Sequence, residues 1–409
     1  MSHFALSPEQ ERLHDNLMSW LQNHRDKGYP NYITVGGYAG TGKTHLATAL
    51  RASLRGLNPT MRVGFCAFTG KASSVLKERL ELVGGVYEAD YVGTIHGMIY
   101  RPIIAEGEEG RQRIIGWKKR SRLPYDLIIL DEASMVSSEL WRDLTSYGIP
   151  IIAVGDHGQL PPIGDRFSIV HPPDLVLNEA HRQALDSPII RLSVEVRTRG
   201  EIPFGIFGEH VYKMRQSSSD FDDLLESLDF SQPTVITLCG MNWTRVQLTR
   251  HIRRKLGYNG EIPYEGERII CLRNNRHTKL MNGQLGTLGG IKLCVPPHIY
   301  EAVIKMDNMP EPYQTLMHRC CFGKREYDGY YDEVSPKKVT PILDDTVYFA
   351  VDLFDFGYAI SVHRSQGSEW DSVLLFEERS QHWDDEFYKR WLYTAVTRAR
   401  DRLFVVAKD

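Results

Sequence analysis

Short apolar runs alternate with stretches of helical spacing through the N-terminal half of the chain. Runs at residues 32–35, 62–68, 126–130 and 150–154 have the length and the flanking turn residues of strands. The run at 126–130 is apolar after its first residue, as expected of a strand that is covered on both faces. Because helical patterns separate these runs, such as the one after Lys43, this half is predicted to form a parallel α/β sheet.

A second α/β pattern begins near Pro233 and is interrupted before it ends. Its predicted strands lie at 235–239, 373–376 and 403–407, and its predicted helices lie at 243–256 and 385–400. Between about 271 and 351 the chain is instead rich in prolines, short apolar runs and turn pairs such as Asn282-Gly283. That composition predicts a small β-barrel inserted into the second α/β pattern.

Residues 97–122 break the rhythm of the first half. Two apolar runs flank Glu106-Gly107-Glu108-Glu109-Gly110, which is typical of a hairpin turn. The second run ends in Trp117-Lys118-Lys119-Arg120, and the whole segment holds seven basic and three acidic residues. We therefore predict a β-hairpin inserted into the first domain.

Composition limits the class of protein without identifying a function. The chain has 409 residues, which favours about two to four structural units over one core. No stretch approaches the roughly 18 apolar residues of a membrane span, and the start lacks the features of a signal peptide. The six cysteines match no zinc spacing, so a reduced, cytoplasmic protein is expected. The net charge of −3 does not indicate nucleic acid, although a basic groove can lie within a neutral whole.

One glycine-rich segment has the chemistry of a phosphate site. Residues 37–44 read Gly-Tyr-Ala-Gly-Thr-Gly-Lys-Thr, which fits the pattern G-x-x-x-x-G-K-[ST] between a strand and a helix. Glycines let backbone N–H groups surround phosphates, and the start of the helix adds partial positive charge. Lys43 is expected to reach the β- and γ-phosphates of ATP, and the Thr44 hydroxyl is expected to coordinate Mg²⁺. The residues predicted to hold the nucleotide here are Gly37, Gly40, Thr41, Gly42, Lys43 and Thr44.

Two carboxylates follow the predicted strand at 126–130. Asp131 and Glu132 would lie at the carboxyl end of a buried strand, where ligands bind in open α/β sheets. Alone, such a pair is as readily a solvated turn, but with a phosphate loop it indicates nucleotide hydrolysis. Asp131 is predicted to hold Mg²⁺, directly or through water, and Glu132 is predicted to polarise the attacking water. Many classes of ATPase share the phosphate loop and the carboxylate pair, so nucleotide hydrolysis alone does not identify the function of the protein.

The segment after the next predicted strand narrows the choice among these classes of ATPase. Residues 155–164 read Gly-Asp-His-Gly-Gln-Leu-Pro-Pro-Ile-Gly and resemble motif III of superfamily 1 helicases, particularly the RecD-like and Dda-like branch. In that family the glutamine senses the γ-phosphate and couples it to the nucleic-acid site. The resemblance therefore gives this role to Gln159.

Three other segments of the first half resemble motifs of the same family, in the family's order. Residues 7–10 look like the segment that reads adenine, with Gln10 as the reader, and they also fit a helix start closed by a capping box. Residues 67–72 resemble motif Ia and residues 94–96 resemble motif Ib, both of which contact the nucleic-acid backbone in the family. Phe68 stands where proline is usual, and it would either stack on a base or fill space beneath the strand. The residues assigned to nucleic acid here are Phe68, Thr69, Lys71, Thr94 and His96.

Two arginines are assigned by the resemblance to the γ-phosphate. Arg182 lies in residues 177–183, which look like the segment carrying the motif IV arginine, and Arg398 lies in residues 392–400, which look like motif VI. One arginine near the end of the first domain and one in the second could converge on ATP held between the domains. There they would stabilise transition-state charge.

Residues 358–370 resemble motif V of the family. Ser361 stands where threonine is more frequent in the family, and Arg364 stands where lysine is more frequent. The first change keeps a hydroxyl and the second keeps a positive charge. By this resemblance Glu369 approaches the nucleotide ribose, and Ser361, His363 and Ser365 face the nucleic-acid strand. The assignment of His363 depends entirely on the motif.

The resemblance implies two RecA-like P-loop motor domains, with the β-hairpin and an SH3-like barrel as insertions. Residues 282–286 are similar to the start of the SH3-like subdomain of RecD-like enzymes. The predicted boundaries are 1–185 for the first motor domain with its hairpin at 97–122, 186–270 and 352–409 for the second motor domain, and 271–351 for the SH3-like insertion.

Together these features predict an ATP-dependent DNA helicase that uses ATP and Mg²⁺. The RecD-like and Dda-like relatives move 5′→3′, so the same polarity is expected on single-stranded DNA, with unwinding of forked duplex. The hairpin would act as a pin at the fork with Trp117 stacking on a base, or it is a solvated basic turn. A monomer in a bacterial or phage-infected cell is expected, with no membrane partner and with replication or recombination proteins as candidate partners. Replication, recombination and repair all fit as its pathway.

Two other functions remain open at this stage. The first is a superfamily 1 RNA helicase, because no motif here reads the 2′-OH that distinguishes RNA from DNA. The second is a DNA-stimulated P-loop ATPase or translocase that does not unwind. Motifs V and VI in a second motor domain argue against a one-domain switch, and no segment is long enough for an additional nuclease domain.

Overall fold

A computed structural model describes residues 6–23, 30–82, 84–106, 112–162, 168–179, 186–273, 280, 282–294, 299–324 and 351–408. The chain forms two compact units, Met1–Ile190 and Arg191–Asp409. No helix among the described residues is long and apolar enough to cross a membrane.

The first unit is built on a six-stranded parallel sheet. Its strands and those of the hairpin are β1 (Tyr32–Gly37), β2 (Val63–Ala67), β3 (Tyr91–Thr94), β4 (Tyr100–Glu106), β5 (Gln112–Lys119), β6 (Leu127–Asp131), β7 (Ile151–Gly155) and β8 (Leu175–Leu177). Its helices are α1 (Pro8–Asn23), α2 (Lys43–Leu57), α3 (Gly70–Leu82), α4 (Ile95–Ile99) and α5 (Ser138–Thr145), and a 3-10 turn spans Ala133–Met135. The strand order is β3-β2-β6-β7-β1-β8, so the α/β sheet predicted from the sequence is confirmed.

The strand β6 shows why its sequence is apolar throughout. Leu127 and Ile129 join the cluster of apolar side chains that includes Leu17, Leu50 and Leu80 of the helices α1, α2 and α3. The alternate residues of β6 join a second cluster that includes residues of α4 and α5. Because side chains alternate across a strand, a strand buried on both faces must be apolar at every position.

The strands β4 and β5 confirm the predicted hairpin. They pair antiparallel as a separate two-stranded sheet, with a register shift between Ile103 and Ile104. The predicted turn residues 107–110 lie outside the described residues. Arg120 N donates to Ile99 O at 2.8 Å and closes the base of the hairpin next to α4.

A buried ion pair ties α2 to the start of β2 and β3. Arg51 Nε and Nη2 donate to the two oxygens of Asp90 at 2.9 Å each, and both side chains are inaccessible to solvent. Asp90 also accepts from Val63 N at 3.0 Å and from Tyr87 N at 3.1 Å. Such a pair is costly to break, because removing one partner leaves an uncompensated buried charge.

We therefore predict that Asp90→Ala lowers the free energy of unfolding of the first unit by about 3–5 kcal/mol. The measurement is denaturant unfolding followed by circular dichroism. The matched control is Glu81→Ala, which removes an exposed carboxylate 3.7 Å from Lys77 and should cost about 0.5 kcal/mol or less. Equal costs for the two variants would contradict the structural importance of the Arg51–Asp90 pair.

The second unit combines a six-stranded sheet with a closed barrel. Its strands are β9 (Gly205–Gly208), β10 (Val211–Arg215), β11 (Val235–Cys239), β12 (Arg268–Cys271), β13 (Leu285–Leu293), β14 (Ile299–Met306), β15 (Tyr313–His318), β16 (Asp352–Phe356), β17 (Ala359–Ser361), β18 (Trp370–Glu377) and β19 (Ala399–Ala407). Its helices are α6 (Pro188–Arg199), whose first residues precede the boundary between the units, α7 (Ser219–Ser227), α8 (Asn242–Lys255), α9 (Val362–Ser365) and α10 (Asp385–Val396), and a 3-10 turn spans Arg319–Cys321. The sheet order is β17-β11-β18-β19-β10-β9, with only the edge strand β9 antiparallel among these pairs.

The predicted barrel is confirmed as five strands in the order β12-β13-β14-β15-β16, closed by antiparallel pairing of β12 with β16. A turn leads into β13, where Gly283 has a left-handed φ of 87° and donates its N–H to Cys271 O at 2.8 Å. Glycine is favoured at such a φ because it has no Cβ. Residues 325–350, in the second half of the predicted insertion, lie outside the described residues.

The helix predicted at 385–400 is longer than the helix that the structure contains. The helix α10 ends at Val396, and β19 begins at Ala399. Ala399 pairs with Trp370 of β18, and Trp370 N donates to Arg398 O at 2.9 Å. Pairing with a neighbouring strand therefore ends the helical pattern earlier than local spacing predicts.

Candidate functional site

The predicted phosphate loop joins β1 to α2 and closes over its own lysine. Lys43 Nζ donates to Gly37 O at 2.8 Å and to Tyr38 O at 2.9 Å. Gly40 and Gly42 have left-handed φ angles of 78° and 77°, which glycine adopts without steric cost. The lysine ammonium is thus held inside a backbone loop at the start of a helix, where anions bind.

The space around this loop is too tight for larger residues. A Cβ on Gly37 would lie 2.8 Å from Thr41 Oγ1, and a Cβ on Gly36 would lie 2.7 Å from His157 Nδ1. The rings of Tyr38 and His157 are 4.2 Å apart. The phosphate loop therefore packs directly against the segment that contains Gln159.

Asp131 lies beside Thr44 at the carboxyl end of β6. The Thr44 hydroxyl donates to Asp131, and Lys43 and Arg79 add positive charge nearby. Glu132 N also donates to Asp131 Oδ1 at 2.9 Å. Burial raises the pKa of Asp131, and the hydrogen bonds and the two cations oppose that rise. The predicted pair of metal ligands, one hydroxyl and one carboxylate, is thus brought together.

A hydroxyl and a carboxylate are hard oxygen ligands, which Mg²⁺ prefers. Among the described residues there is no cluster of three or more histidine, cysteine, aspartate or glutamate side chains arranged to hold a metal ion. In nucleotide sites Mg²⁺ is typically held by one or two protein ligands together with substrate phosphates and waters.

Glu132 has an unusual backbone conformation. Its φ of 51° is left-handed, and no other non-glycine residue with a positive φ occurs in the described part of the chain. It precedes the 3-10 turn Ala133–Met135, and Met135 N donates to Glu132 O at 3.2 Å. Such strained conformations are concentrated at functional sites, where the surrounding structure over-determines them.

Gln159 is buried and held by Asp156. Its Nε2 donates to Asp156 Oδ2 at 3.3 Å, and the other oxygen of Asp156 accepts from Gly158 N at 3.0 Å. The Oε1 of Gln159 is buried without a hydrogen-bond partner among the described residues. A buried acceptor of this kind is costly unless a donor such as water reaches it. Phosphate oxygens are themselves acceptors, so the role of Gln159 in sensing the γ-phosphate stays a prediction.

The N-terminal helix is connected to the phosphate loop through Gln10. Ser7 N donates to Gln10 Oε1 at 3.0 Å and Gln10 N donates to Ser7 Oγ at 3.3 Å, which confirms the capping box. Gln10 Nε2 also lies 3.3 Å from Thr41 O and 3.4 Å from Gly42 O. The buried amide therefore supports the loop, and its contact with adenine stays a prediction.

Sequence analysis does not identify Glu9, because an acidic residue in the first turn of a helix is ordinary. Its buried carboxylate accepts from Asn178 N at 3.0 Å and from Glu179 N at 2.9 Å. These residues immediately precede residues 180–185, which lie outside the described residues and include Arg182. The role of Arg182 at the γ-phosphate therefore stays a prediction.

Motifs Ia and Ib lie side by side on neighbouring strands. Ala67 at the end of β2 is paired with Thr94 at the end of β3. Thr69 Oγ1 accepts from Ala72 N at 3.1 Å and Thr94 Oγ1 accepts from Gly97 N at 3.0 Å, so each threonine caps the helix that follows. The side chain of Lys71 lies outside the described residues.

Three rings connect these motifs to the hairpin. The ring of Phe68 is 6.1 Å from His96, and His96 is 5.8 Å from Tyr100. Phe68 is partly buried and packs against the apolar cluster around Ile128. This packing supports the interpretation that Phe68 fills space. Trp117 on β5 is 42% exposed, as a base-stacking role requires.

The motif V residues form a short turn in the second unit. Ser361 Oγ accepts from Arg364 N at 3.4 Å and caps α9. Ser365 is fully buried and its hydroxyl donates to Val362 O at 2.7 Å, so it supports the turn from inside instead of occupying a surface position. Glu369 is exposed.

Arg398 connects motif VI to motif V. Its guanidinium is buried and donates to Thr394 O at 3.0 Å, Ser368 O at 3.1 Å and Thr397 Oγ1 at 3.1 Å. Arg400, by contrast, is exposed and lies 2.5 Å from Asp371, in keeping with a surface charge. Arg398 is therefore held between the segments that resemble motifs V and VI, and its contact with the γ-phosphate stays a prediction.

His363 gives a pH prediction for the second unit. Burial lowers its pKa, whereas a histidine in the unfolded chain titrates near about 6.5. Because the unfolded state binds the proton more readily, the stability contributed by the neutral ring is present above that pKa and is lost as the pH falls below it. We expect the free energy of unfolding of the wild type to fall more steeply below about pH 6.5 than that of His363→Gln.

The check is denaturant unfolding at a series of pH values. His382→Gln, which changes an exposed histidine of the same unit, is the control and should keep the wild-type slope. Identical slopes for the wild type and His363→Gln would show that His363 is not held in its neutral form.

Two protein families match separate parts of the chain. The family described as "AAA domain" matches residues 27–165, and the family described as "UvrD-like helicase C-terminal domain" matches residues 356–406. The first range contains the phosphate loop, the two carboxylates and Gln159. The second contains the segments resembling motifs V and VI.

Curated relatives cover almost the whole chain. The ATP-dependent RecD2 DNA helicase of Deinococcus radiodurans is 26% identical over 98% of this chain, and the RecBCD enzyme subunit RecD of Mycobacterium tuberculosis is 31% identical over 92%. The chain spans 49% of the Deinococcus protein and 66% of the mycobacterial protein.

A solved structure supports the fold. The Bacteroides Pif1 helicase in complex with ADP-AlF3 and single-stranded DNA is 18% identical, with a TM-score of 0.52 over 98% of this chain and 92% of that one. At this identity the similarity supports the fold, namely two RecA-like units and a small barrel.

Proposed function

Because the chain belongs to the RecD-like branch of the superfamily 1 helicases, we propose that it is an ATP-dependent DNA helicase. It would translocate on single-stranded DNA in the 5′→3′ direction and unwind duplex DNA. The observation that carries the proposal is the grouping of Lys43, Thr44 and Asp131 in one phosphate site. Glu132 follows Asp131 directly, and the segment containing Gln159 packs against the same loop.

ATP would bind with its phosphates in the loop 37–44. Lys43 would exchange the carbonyls of Gly37 and Tyr38 for phosphate oxygens, because a charged acceptor forms the stronger hydrogen bond. Thr44 and Asp131 would hold Mg²⁺, which when bound neutralises charge developing on the phosphates. This assignment agrees with the oxygen-only character of the two side chains.

Glu132 would orient and polarise the attacking water, and Gln159 would sense the γ-phosphate. By the family resemblance, Arg182 and Arg398 would stabilise transition-state charge, and Gln10 and Glu369 would contact the nucleoside. Hydrolysis would then change the affinity of the two units for the strand, which is what movement along the strand requires.

Single-stranded DNA would run along motifs Ia and Ib, with Thr69 and Thr94 near the DNA backbone. The Ser361–His363 turn of the second unit would also contact the strand. The hairpin would separate the strands at a fork, with Trp117 stacking on a base. Forked DNA is thus the proposed substrate, and replication or recombination proteins are the proposed partners of what we take to be a monomeric enzyme.

Translocation and its polarity can be tested without a duplex. Oligonucleotides that carry biotin at the 5′ or the 3′ end are bound to streptavidin, and ATP-dependent displacement of streptavidin is measured. A 5′→3′ motor displaces streptavidin from the 3′ end only, and an RNA version of each oligonucleotide distinguishes a DNA motor from an RNA motor. Displacement from the 5′ end only, or on RNA only, would contradict the proposal.

A further inference from the structure

One carboxylate of the first unit holds both strands of the hairpin at its base. Tyr100, the first residue of β4, donates its hydroxyl to Asp143 Oδ2. Lys119, the last residue of β5, donates from Nζ to Asp143 Oδ1 at 3.0 Å. Tyr100 and Lys119 are directly paired across the hairpin. Asp143 therefore fixes the two strands together at the point where they leave the domain.

The end of α5 adds contacts around the same point. Lys119 Nζ also donates to Ser146 Oγ at 2.7 Å and lies 5.4 Å from the centre of the Tyr147 ring. The Tyr147 hydroxyl is 2.8 Å from Arg120 O and 3.1 Å from Ile99 O, on the two sides of the hairpin base. In the described part of the chain, these contacts attach the base of the hairpin to one short helix and the turn that follows it.

That helix follows the catalytic carboxylates in the chain. Glu132 is joined to α5 by the 3-10 turn Ala133–Met135 and by Ser137, whose Oγ accepts from Leu140 N at 3.4 Å. A Cβ on Gly155 would lie 3.0 Å from Ser134 N, so the start of the segment that contains Gln159 packs directly on this turn. If nucleotide binding displaces Glu132 or the segment that contains Gln159, the 3-10 turn must move as well, because closely packed groups transmit such a displacement.

A second connection reaches Tyr100 from the strand-contacting motifs. The rings of Phe68, His96 and Tyr100 follow one another at 6.1 Å and 5.8 Å. Tyr100 is therefore in contact with motif Ib through its ring and with α5 through its hydroxyl. The base of the hairpin is therefore connected to the nucleotide site through α5, and to motifs Ia and Ib through the three rings.

We propose that Asp143 is a positioning residue that couples the nucleotide site to the hairpin through α5. The inference rests on the proposed function, in which the hairpin opens the fork. Asp143 does not touch ATP or DNA; it transmits movement of the turn after Glu132 to Tyr100 and Lys119. Without it, the motor would hydrolyse ATP and move along single strands, while the hairpin would no longer follow each step.

The charge state of Asp143 suits this role. The hydrogen bond from Tyr100 and the nearby Lys119 ammonium lower its pKa, so the carboxylate is ionised at neutral pH. Hydrogen bonds to an ionised acceptor are stronger and more directional than neutral ones. Asparagine has nearly the same shape but no charge, and it cannot accept from both donors through two carboxylate oxygens.

The test compares Asp143→Asn and Tyr100→Phe with the control Asp15→Asn, which changes an exposed carboxylate of α1. Strand-stimulated ATP turnover and streptavidin displacement should be unchanged in all three variants. The number of base pairs unwound per ATP should fall about threefold to tenfold for Asp143→Asn and Tyr100→Phe only. The double variant should be no worse than Asp143→Asn alone, because both changes break one connection.

Hydrogen exchange of residues 100–106 and 112–119 gives a second readout that does not require unwinding. Adding ADP with aluminium fluoride and single-stranded DNA should change the protection of these amides in the wild type and not in Asp143→Asn. The inference is overturned if Asp143→Asn keeps the wild-type ratio of base pairs to ATP, or if its hairpin responds to nucleotide as the wild type does. A wild type that hydrolyses ATP without unwinding would refute the proposed function alone, and hydrogen exchange would still decide the coupling.

Discussion

Lys43→Ala is expected to reduce strand-stimulated ATP turnover by about 10²- to 10³-fold or more, because it removes a charged donor aimed at the transferring phosphate. Lys43 Nζ is held within the loop by the carbonyls of Gly37 and Tyr38, so its position does not depend on flexible surface contacts. Single-stranded DNA binding should be nearly unchanged, because the motifs assigned to the strand lie on other segments.

The measurement is a coupled ATPase assay with saturating single-stranded DNA, together with fluorescence anisotropy of labelled DNA without nucleotide. Lys77→Ala is the matched control, since it removes an exposed lysine of α3 that lies 3.7 Å from Glu81. Normal turnover by Lys43→Ala would refute the phosphate-site assignment.

Glu132→Gln should block hydrolysis while ATP still binds. The amide keeps the size of the side chain but cannot polarise water as a carboxylate does, so the rate of the chemical step should fall about 10²- to 10⁴-fold. Lys43, Thr44 and Asp131 remain to hold the nucleotide, so the affinity for ATP should change little. The left-handed backbone at Glu132 is also accessible to glutamine at similar cost.

Single-turnover hydrolysis and binding of a fluorescent ATP analogue separate these two effects. Glu78→Gln, an exposed glutamate of α3, should behave as wild type in both assays. A Glu132→Gln variant that loses nucleotide binding would place this carboxylate among the binding groups and not at the attacking water.

The fold could be predicted wherever local pattern and local chemistry agree. The strand β6 is apolar throughout because both its faces are covered, and the pattern shows this directly. The phosphate loop is recognisable because its glycines, lysine and threonine are needed at fixed spacing. The helix predicted before β19 extends too far, because its end is set by pairing of the following residues with β18, which local spacing does not reveal.

The contacts that sequence analysis misses are long-range and made by side chains of ordinary type. Glu9 binds the backbone of residues 178 and 179, which lie far along the chain. Asp143 is an unremarkable polar residue of an amphipathic helix until the fold brings Tyr100 and Lys119 to it. Spacing along the chain carries no signal for either contact.

ATP-dependent unwinding of forked DNA is the most direct test of the proposed helicase activity. Forks with a single-stranded 5′ tail, a 3′ tail or both are compared, with matched RNA forks and with Lys43→Ala as the inactive control. We expect unwinding of DNA only where a 5′ tail is present. Strand-stimulated hydrolysis without unwinding of any fork, or unwinding that requires a 3′ tail, would contradict it.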